Sequence, residues 1–106
     1  MPALGKASAA DTPARDDKAL ELRVRGRSFV AIAKTLGYER ANHANEAFNR
    51  ALRRKPAAEQ DELRGQELTR LDAMADGVKG DKALEPEDAA RRLKTVERLR
   101  AMLLAD

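Results

Sequence analysis

A chain of 106 residues that is 42% hydrophobic, 37% charged and only 3% aromatic has material for one small domain, or one with an appendage, around a thin core. With no cysteine and a single histidine it has no disulfides, no thiolate metal site and no histidine-cluster metal site, and no cofactor is expected. The formal charge of +3 hides an asymmetry, because residues 1–56 carry twelve Lys/Arg against six Asp/Glu and residues 57–106 carry nine against twelve.

A basic first half joined to an acidic second half suggests that one half meets a polyanion and the other does not; the alternative is two solvated surfaces that happen to differ. No run approaches the ~18 apolar residues of a membrane span. The stretch Met1–Ala10 lacks the apolar centre of a signal peptide. A cytoplasmic protein without a membrane partner is the expectation. Leu and Ala dominate the apolar content while Val and Ile are few, which favours an all-α fold.

Residues 1–13, rich in Ala, Gly, Ser and Pro, read as a flexible tail. Thr12-Pro13 has the form of a helix start, a capping hydroxyl followed by proline at the first helical position. A first helix is expected to reach Arg25 and stop at Gly26, with Leu20 and Val24 facing inward and Leu22 turned towards another segment. Ser28 is an N-cap for a second helix in which Phe29, Ile32, Ala33 and Leu36 fall at i, i+3, i+4 and i+7, a buried face. Gly37 closes it after about two turns, so packing must hold it. Tyr38 follows at the turn.

The third helix is expected from about Glu39 to Lys55, before Pro56. Ala41, Ala44, Ala47, Phe48, Ala51 and Leu52 cluster on one side. Asn42, Asn45, Glu46, Asn49 and Arg53 are placed opposite, flanked by His43 and Arg50. A fourth helix from Ala57 to about Val78 has Leu63, Leu68, Leu71, Met74 and Val78 as its rib, with Gly77, Gly80 and Asp81 as breakers. A fifth, Glu87 to Leu104, is ribbed by Ala89, Leu93, Val96, Leu99 and Leu103, with Pro86 just before it. Two ribbed helices around a glycine-containing loop suggest an αα-hairpin. The expected division is therefore 14–56 for a helix-turn-helix domain and 57–106 for a helical hairpin that oligomerises.

A helix-turn-helix needs a short support helix, a tight turn and a second helix whose outer face enters the major groove. The turn needs a residue that tolerates positive φ, and the crossing of the helices needs a small one. Gly37 and Ala33 supply these, bracketed by Phe29, Ile32 and Leu36. Three asparagines in one helix cost up to ~0.7 kcal/mol each in propensity against alanine, and such local costs concentrate where function requires them. Asparagine can bond bidentately to adenine, arginine to guanine, and glutamate can accept from cytosine. Arg27, Lys34, Arg53, Arg54 and Lys55 form a basic rim suited to phosphates, which position a protein without specifying sequence. The expected contacts to double-stranded DNA are thus Arg27, Ser28, Lys34, Tyr38, Arg40, Asn42, His43, Asn45, Glu46, Asn49, Arg50, Arg53 and Arg54. The bland counterpart is a merely polar helix surface. Tyr38 reads as a packing residue that lends its hydroxyl to a phosphate, and His43 as a groove-edge or phosphate contact rather than a ligand. Glu59, Asp61, Glu62 and Glu67 read as ordinary solvated charges. There is no G-x-x-x-x-G-K-[ST] loop, no H-E-x-x-H and no Gly-x-Ser-x-Gly, so an enzyme is not expected.

The stretch from Ala19 to Gly26, Ala-Leu-Glu-Leu-Arg-Val-Arg-Gly, followed by Ser28-Phe-Val-Ala-Ile-Ala-Lys-Thr-Leu-Gly-Tyr38, resembles helix-turn-helix proteins of actinobacterial phages and prophages, several of them similar to small terminase subunits. Glu67-Leu-Thr-Arg-Leu-Asp72 and Val96-Glu-Arg-Leu-Arg-Ala-Met-Leu-Leu104 are similar to the helical region that follows in those proteins. The resemblance implies recognition of viral DNA for genome packaging, assembly into a homo-oligomer through the later helices, and recruitment of a large terminase ATPase subunit. The assembly surface is expected at Leu68, Leu71, Met74, Val78, Leu93, Val96, Leu99, Met102 and Leu103. Only Ala105-Asp106 follow Leu104, so no extended docking segment for a large subunit is expected in this sequence. The alternatives are a dimeric helix-turn-helix transcriptional regulator and an adaptor whose fold never meets DNA; oligomer size and DNA binding separate the three.

Overall fold

The computed structural model describes residues 12–105; of the tail expected at 1–13, residues 1–11 lie outside them, and Thr12 and Pro13 belong instead to the first helix. Among the described residues the chain is all α-helical, without strands, in the order α1 (Thr12–Val24), α2 (Phe29–Leu36), α3 (Ala41–Arg53), α4 (Ala57–Gly80) and α5 (Pro86–Leu104). It divides into two compact units, residues 1–60 and 61–106.

In the first unit α3 packs on both α1 and α2, and α1 touches α2. Phe48 meets Phe29 edge-on at a centroid distance of 5.7 Å, which pins α3 to α2. Ala19, Ile32, Ala44, Ala47, Ala51 and Leu52 fill the space around them. Each fully buried large side chain here contributes about 1.5–3 kcal/mol. The alanines let the three helices approach closely enough for a thin core to close.

Two positive-φ glycines end the first two helices. Gly26 (φ 96°) follows α1, where the Arg27 N–H reaches back to the Leu22 carbonyl at 3.1 Å. Gly37 (φ 81°) follows α2, where its own N–H and that of Tyr38 both donate to the Ala33 carbonyl at 2.9 Å. Both turns satisfy carbonyls that a helix end would otherwise leave open.

The inward stripe of α1 differs from the expectation. Val24 is exposed, and the buried positions are Asp16, Ala19, Leu20 and Arg23. These fall at i, i+3, i+4 and i+7, so the helix does bury one regular face, but half of that face is charged. Arg23 takes the inward position expected of Val24, laying its guanidinium 4.0 Å over the Phe29 ring and donating to the Arg27 carbonyl at 3.1 Å.

In the second unit α4 and α5 run antiparallel on either side of residues 81–85. The Arg64 Nε donates to the Leu103 carbonyl at 3.2 Å, and Arg100 pairs with Asp72 at 2.6 Å. Leu71, Val96 and Leu103 are buried, whereas Met74 and Leu104 are exposed. Gly77 does not break α4, which continues to Gly80. Glu67, expected among solvated charges, is buried and pairs with Arg70 at 2.9 Å. No described helix is long and apolar enough to cross a membrane.

Candidate nucleic-acid interface

The site is built on α2, residues 37–40 and α3. Ser28 caps α2, its Oγ accepting the Ala31 N–H at 3.1 Å. Arg40 stands at the N-cap of α3 in an extended conformation with no side-chain cap bond, so its side chain is not spent on the helix end. Arg27, Lys34, Arg40, Asn42 and Arg53 are exposed, and His43 and Glu46 are half-buried.

Two expected base contacts are not on this surface. Asn45 is 2% exposed and Asn49 is 1% exposed. The Asn49 Nδ2 donates to the Asn45 carbonyl at 3.0 Å and to the Asn45 Oδ1 at 3.2 Å, while the Asn49 Oδ1 is buried with no hydrogen-bond partner. The reason is angular. At ~100° per residue, positions 45 and 49 flank Leu52 rather than oppose it. The buried arc of α3 therefore covers more than half its circumference, and what remains outside is Asn42, His43, Glu46, Arg50 and Arg53.

Three expected DNA contacts, Tyr38, Arg50 and Arg54, are engaged within the fold. Asp16, buried on α1, receives the Arg50 Nε at 2.8 Å and the Arg50 Nη2 at 3.0 Å, a two-pronged pair across 34 residues. The Tyr38 hydroxyl donates to the same carboxylate at 3.4 Å, and the Arg54 Nη1 lies 3.7 Å from it. Arg54 also donates to the Asp17 carboxylate at 2.8 Å and to the Pro13 carbonyl at 3.1 Å. Arg50 and Arg54 thus tie α3 to α1, although both guanidinium groups keep an outward edge.

Tyr38 is held from both sides. Arg15 lies 4.4 Å over its ring while donating to the Leu36 carbonyl at 3.3 Å. Burial lifts the Tyr38 hydroxyl above the usual phenol value, the Asp16 charge pushes the same way, and the Arg15 charge opposes them. The hydrogen bond to Asp16 raises Arg50 as well, leaving it charged throughout the working range. Tyr38, Glu39, His43, Glu46 and Arg50 surround an open polar cleft of about 340 Å³ at the entry to α3.

Comparison with family models, with curated proteins and with solved structures finds no match.

Asp16, Asp17 and Arg15 are the site residues that pattern reading missed. For Asp16 the signal was the i, i+3, i+4, i+7 spacing of Asp16, Ala19, Leu20 and Arg23, which an apolar-only pattern skips; Arg15 and Asp17 lie outside that spacing and had none. No group of three or more His, Cys, Asp or Glu among the described residues is arranged to hold a metal ion.

Proposed function

We propose that residues 12–54 form a helix-turn-helix module that binds double-stranded DNA, with α2 as the support helix and α3 as the groove-facing helix. The observation that carries this reading is the construction around Gly37. A two-turn helix, a left-handed glycine and a longer helix follow one another, and α3 turns a polar arc outward while α1 and α2 cover its opposite side. Arg27, Lys34, Arg40 and Arg53 rim that arc and suit phosphates; Asn42 and Glu46 suit base edges.

The resemblance to small terminase subunits extends the proposal: the chain acts as a DNA-recognition subunit in viral genome packaging, with the α4–α5 pair as its assembly element. The exposed Met74 and Leu104 on that pair support the second part.

The test is a fluorescence-anisotropy titration of the full chain with labelled random-sequence duplex across a salt series. Four phosphate contacts give a slope of log K against log salt of about −3 to −4, since each contributes about −0.9. Lys34→Ala and Arg40→Ala each flatten the slope by about one contact. Absence of binding to any duplex at low salt defeats the proposal.

A further inference from the structure

The outward arc of α3 holds Asn42, Arg53, Glu46, Arg50 and His43 in angular order, and Glu46 stands near its middle. A carboxylate at that place is costly on a surface that meets phosphates, because the like charge repels the backbone on every sequence alike. Its charge acts on Arg50, one turn further along α3, without a bond between them. Among the described residues Glu46 makes no hydrogen bond and no ion pair; the neighbouring Arg50 has turned its Nε and Nη2 towards Asp16. The residue is half-buried and lines the cleft beside residues 37–40.

An ionised carboxylate only accepts hydrogen bonds. The four bases answer it differently in the major groove. Guanine presents two acceptors, N7 and O6, and thymine an acceptor with a methyl group. Adenine presents a donor beside an acceptor, which suits an amide that both gives and takes, such as Asn42. Cytosine presents its N4 amino donor with no acceptor beside it.

We infer that Glu46 is the specificity-determining residue of this surface, accepting a hydrogen bond from the N4 amino group of one cytosine and disfavouring the other three bases at that position. The inference rests on the reading of α3 as the groove-facing helix. Glu46 thereby acts in two directions: it weakens binding to duplex in general and restores it where a cytosine meets the middle of α3.

The experiment selects bound sequences from a randomised duplex pool with the full-length protein, with Glu46→Ala and with Glu46→Gln, and measures the affinity of each for poly(dA-dT) duplex. Alanine is a better helix former than glutamate, and glutamine is about the equal of glutamate, so both variants keep the fold, which circular dichroism verifies. The native protein is expected to enrich one invariant C·G pair. Glu46→Ala should lose that invariance, lower the preference for the enriched sequence by about tenfold, and bind poly(dA-dT) more tightly than the native protein does. Glu46→Gln, whose amide can both give and accept, should shift the position towards adenine. If the native protein binds duplex but fixes no cytosine, or Glu46→Ala keeps the same fixed cytosine, the inference falls while the DNA-binding reading stands. If the native protein binds no duplex at all, both fall together.

Discussion

Asp16 and Arg50 meet as a buried carboxylate and a half-exposed guanidinium: Asp16 is 1% exposed, and both its oxygens are bonded by Arg50, at 2.8 Å and 3.0 Å. The pair joins the first turns of α1 to the latter half of α3, and Tyr38 adds a third donor from the intervening turn. A carboxylate taken out of water this completely needs such partners.

Arg50→Ala leaves that carboxylate with the longer contacts to Tyr38 and Arg54. Removing one partner of a fully buried pair costs ~3–5 kcal/mol, and the exposure of Arg50 lowers this to roughly 2 kcal/mol. Urea unfolding of the variant should show the loss, and Arg50→Lys should recover less than half, because an ammonium cannot make the two-pronged bond. An unchanged midpoint for Arg50→Ala would remove Asp16 from its structural role.

Tyr38 is the one tyrosine of a chain without tryptophan, so its ionisation can be followed by ultraviolet absorbance without interference. Its value in the folded protein lies above 10.0. A group raised on folding contributes stability that is fully present below its unfolded value and lost as pH rises through the folded one. The absorbance midpoint should therefore exceed that of the urea-unfolded chain, and stability should decline only in the alkaline range beyond pH 10.0. Tyr38→Phe should flatten that decline. Equal midpoints in folded and unfolded chains would contradict the burial and the Asp16 contact.

Gly37 sits at φ 81° with no atom within 4 Å of where a Cβ would stand. The cost of a side chain there is conformational rather than steric, so Gly37→Ala should destabilise by about 1 kcal/mol. Gly37→Asn should lose less, since asparagine tolerates the left-handed region. Equal losses for both would mean that contacts and not backbone conformation set the cost.

Asn49→Ala separates burial from recognition. It removes two hydrogen bonds to Asn45 but also the unpartnered Oδ1. It also gains helix propensity of up to ~0.7 kcal/mol. The net stability change should stay within about 1 kcal/mol of zero, and affinity and selectivity for duplex DNA should not change. A selective loss of preference for one sequence would restore Asn49 to the DNA surface.

Assembly through the second unit is checked by light scattering. The full chain is expected to exceed the 11.7 kDa of one copy, and a count above two favours packaging while two favours a repressor. The double variant Met74→Glu, Leu104→Glu charges two exposed positions without touching a buried one. It should therefore dissociate the assembly without unfolding the chain. A native protein that scatters as a single copy would dismiss the oligomer.

The elements themselves were legible in the sequence. The caps at Ser28, Gly26 and Gly37, the stop before Pro56 and the start at Pro86 are local chemistry, set by which backbone groups a residue can satisfy and which φ it can adopt. Apolar periodicity found the core faces of α2 and α3 for the same reason, because burial of Phe29, Ile32, Phe48 and Leu52 follows from helix geometry alone. Which polar residues go inside was decided by the tertiary structure. Asp16 and Arg23 are inward because Arg50 and the Phe29 ring stand opposite them; Asn45 and Asn49 are buried because the covered arc of α3 is wider than its apolar stripe. A polar side chain is stable in the interior only when it finds a partner, and the partner of Asp16, 34 residues away, has no signature in local spacing.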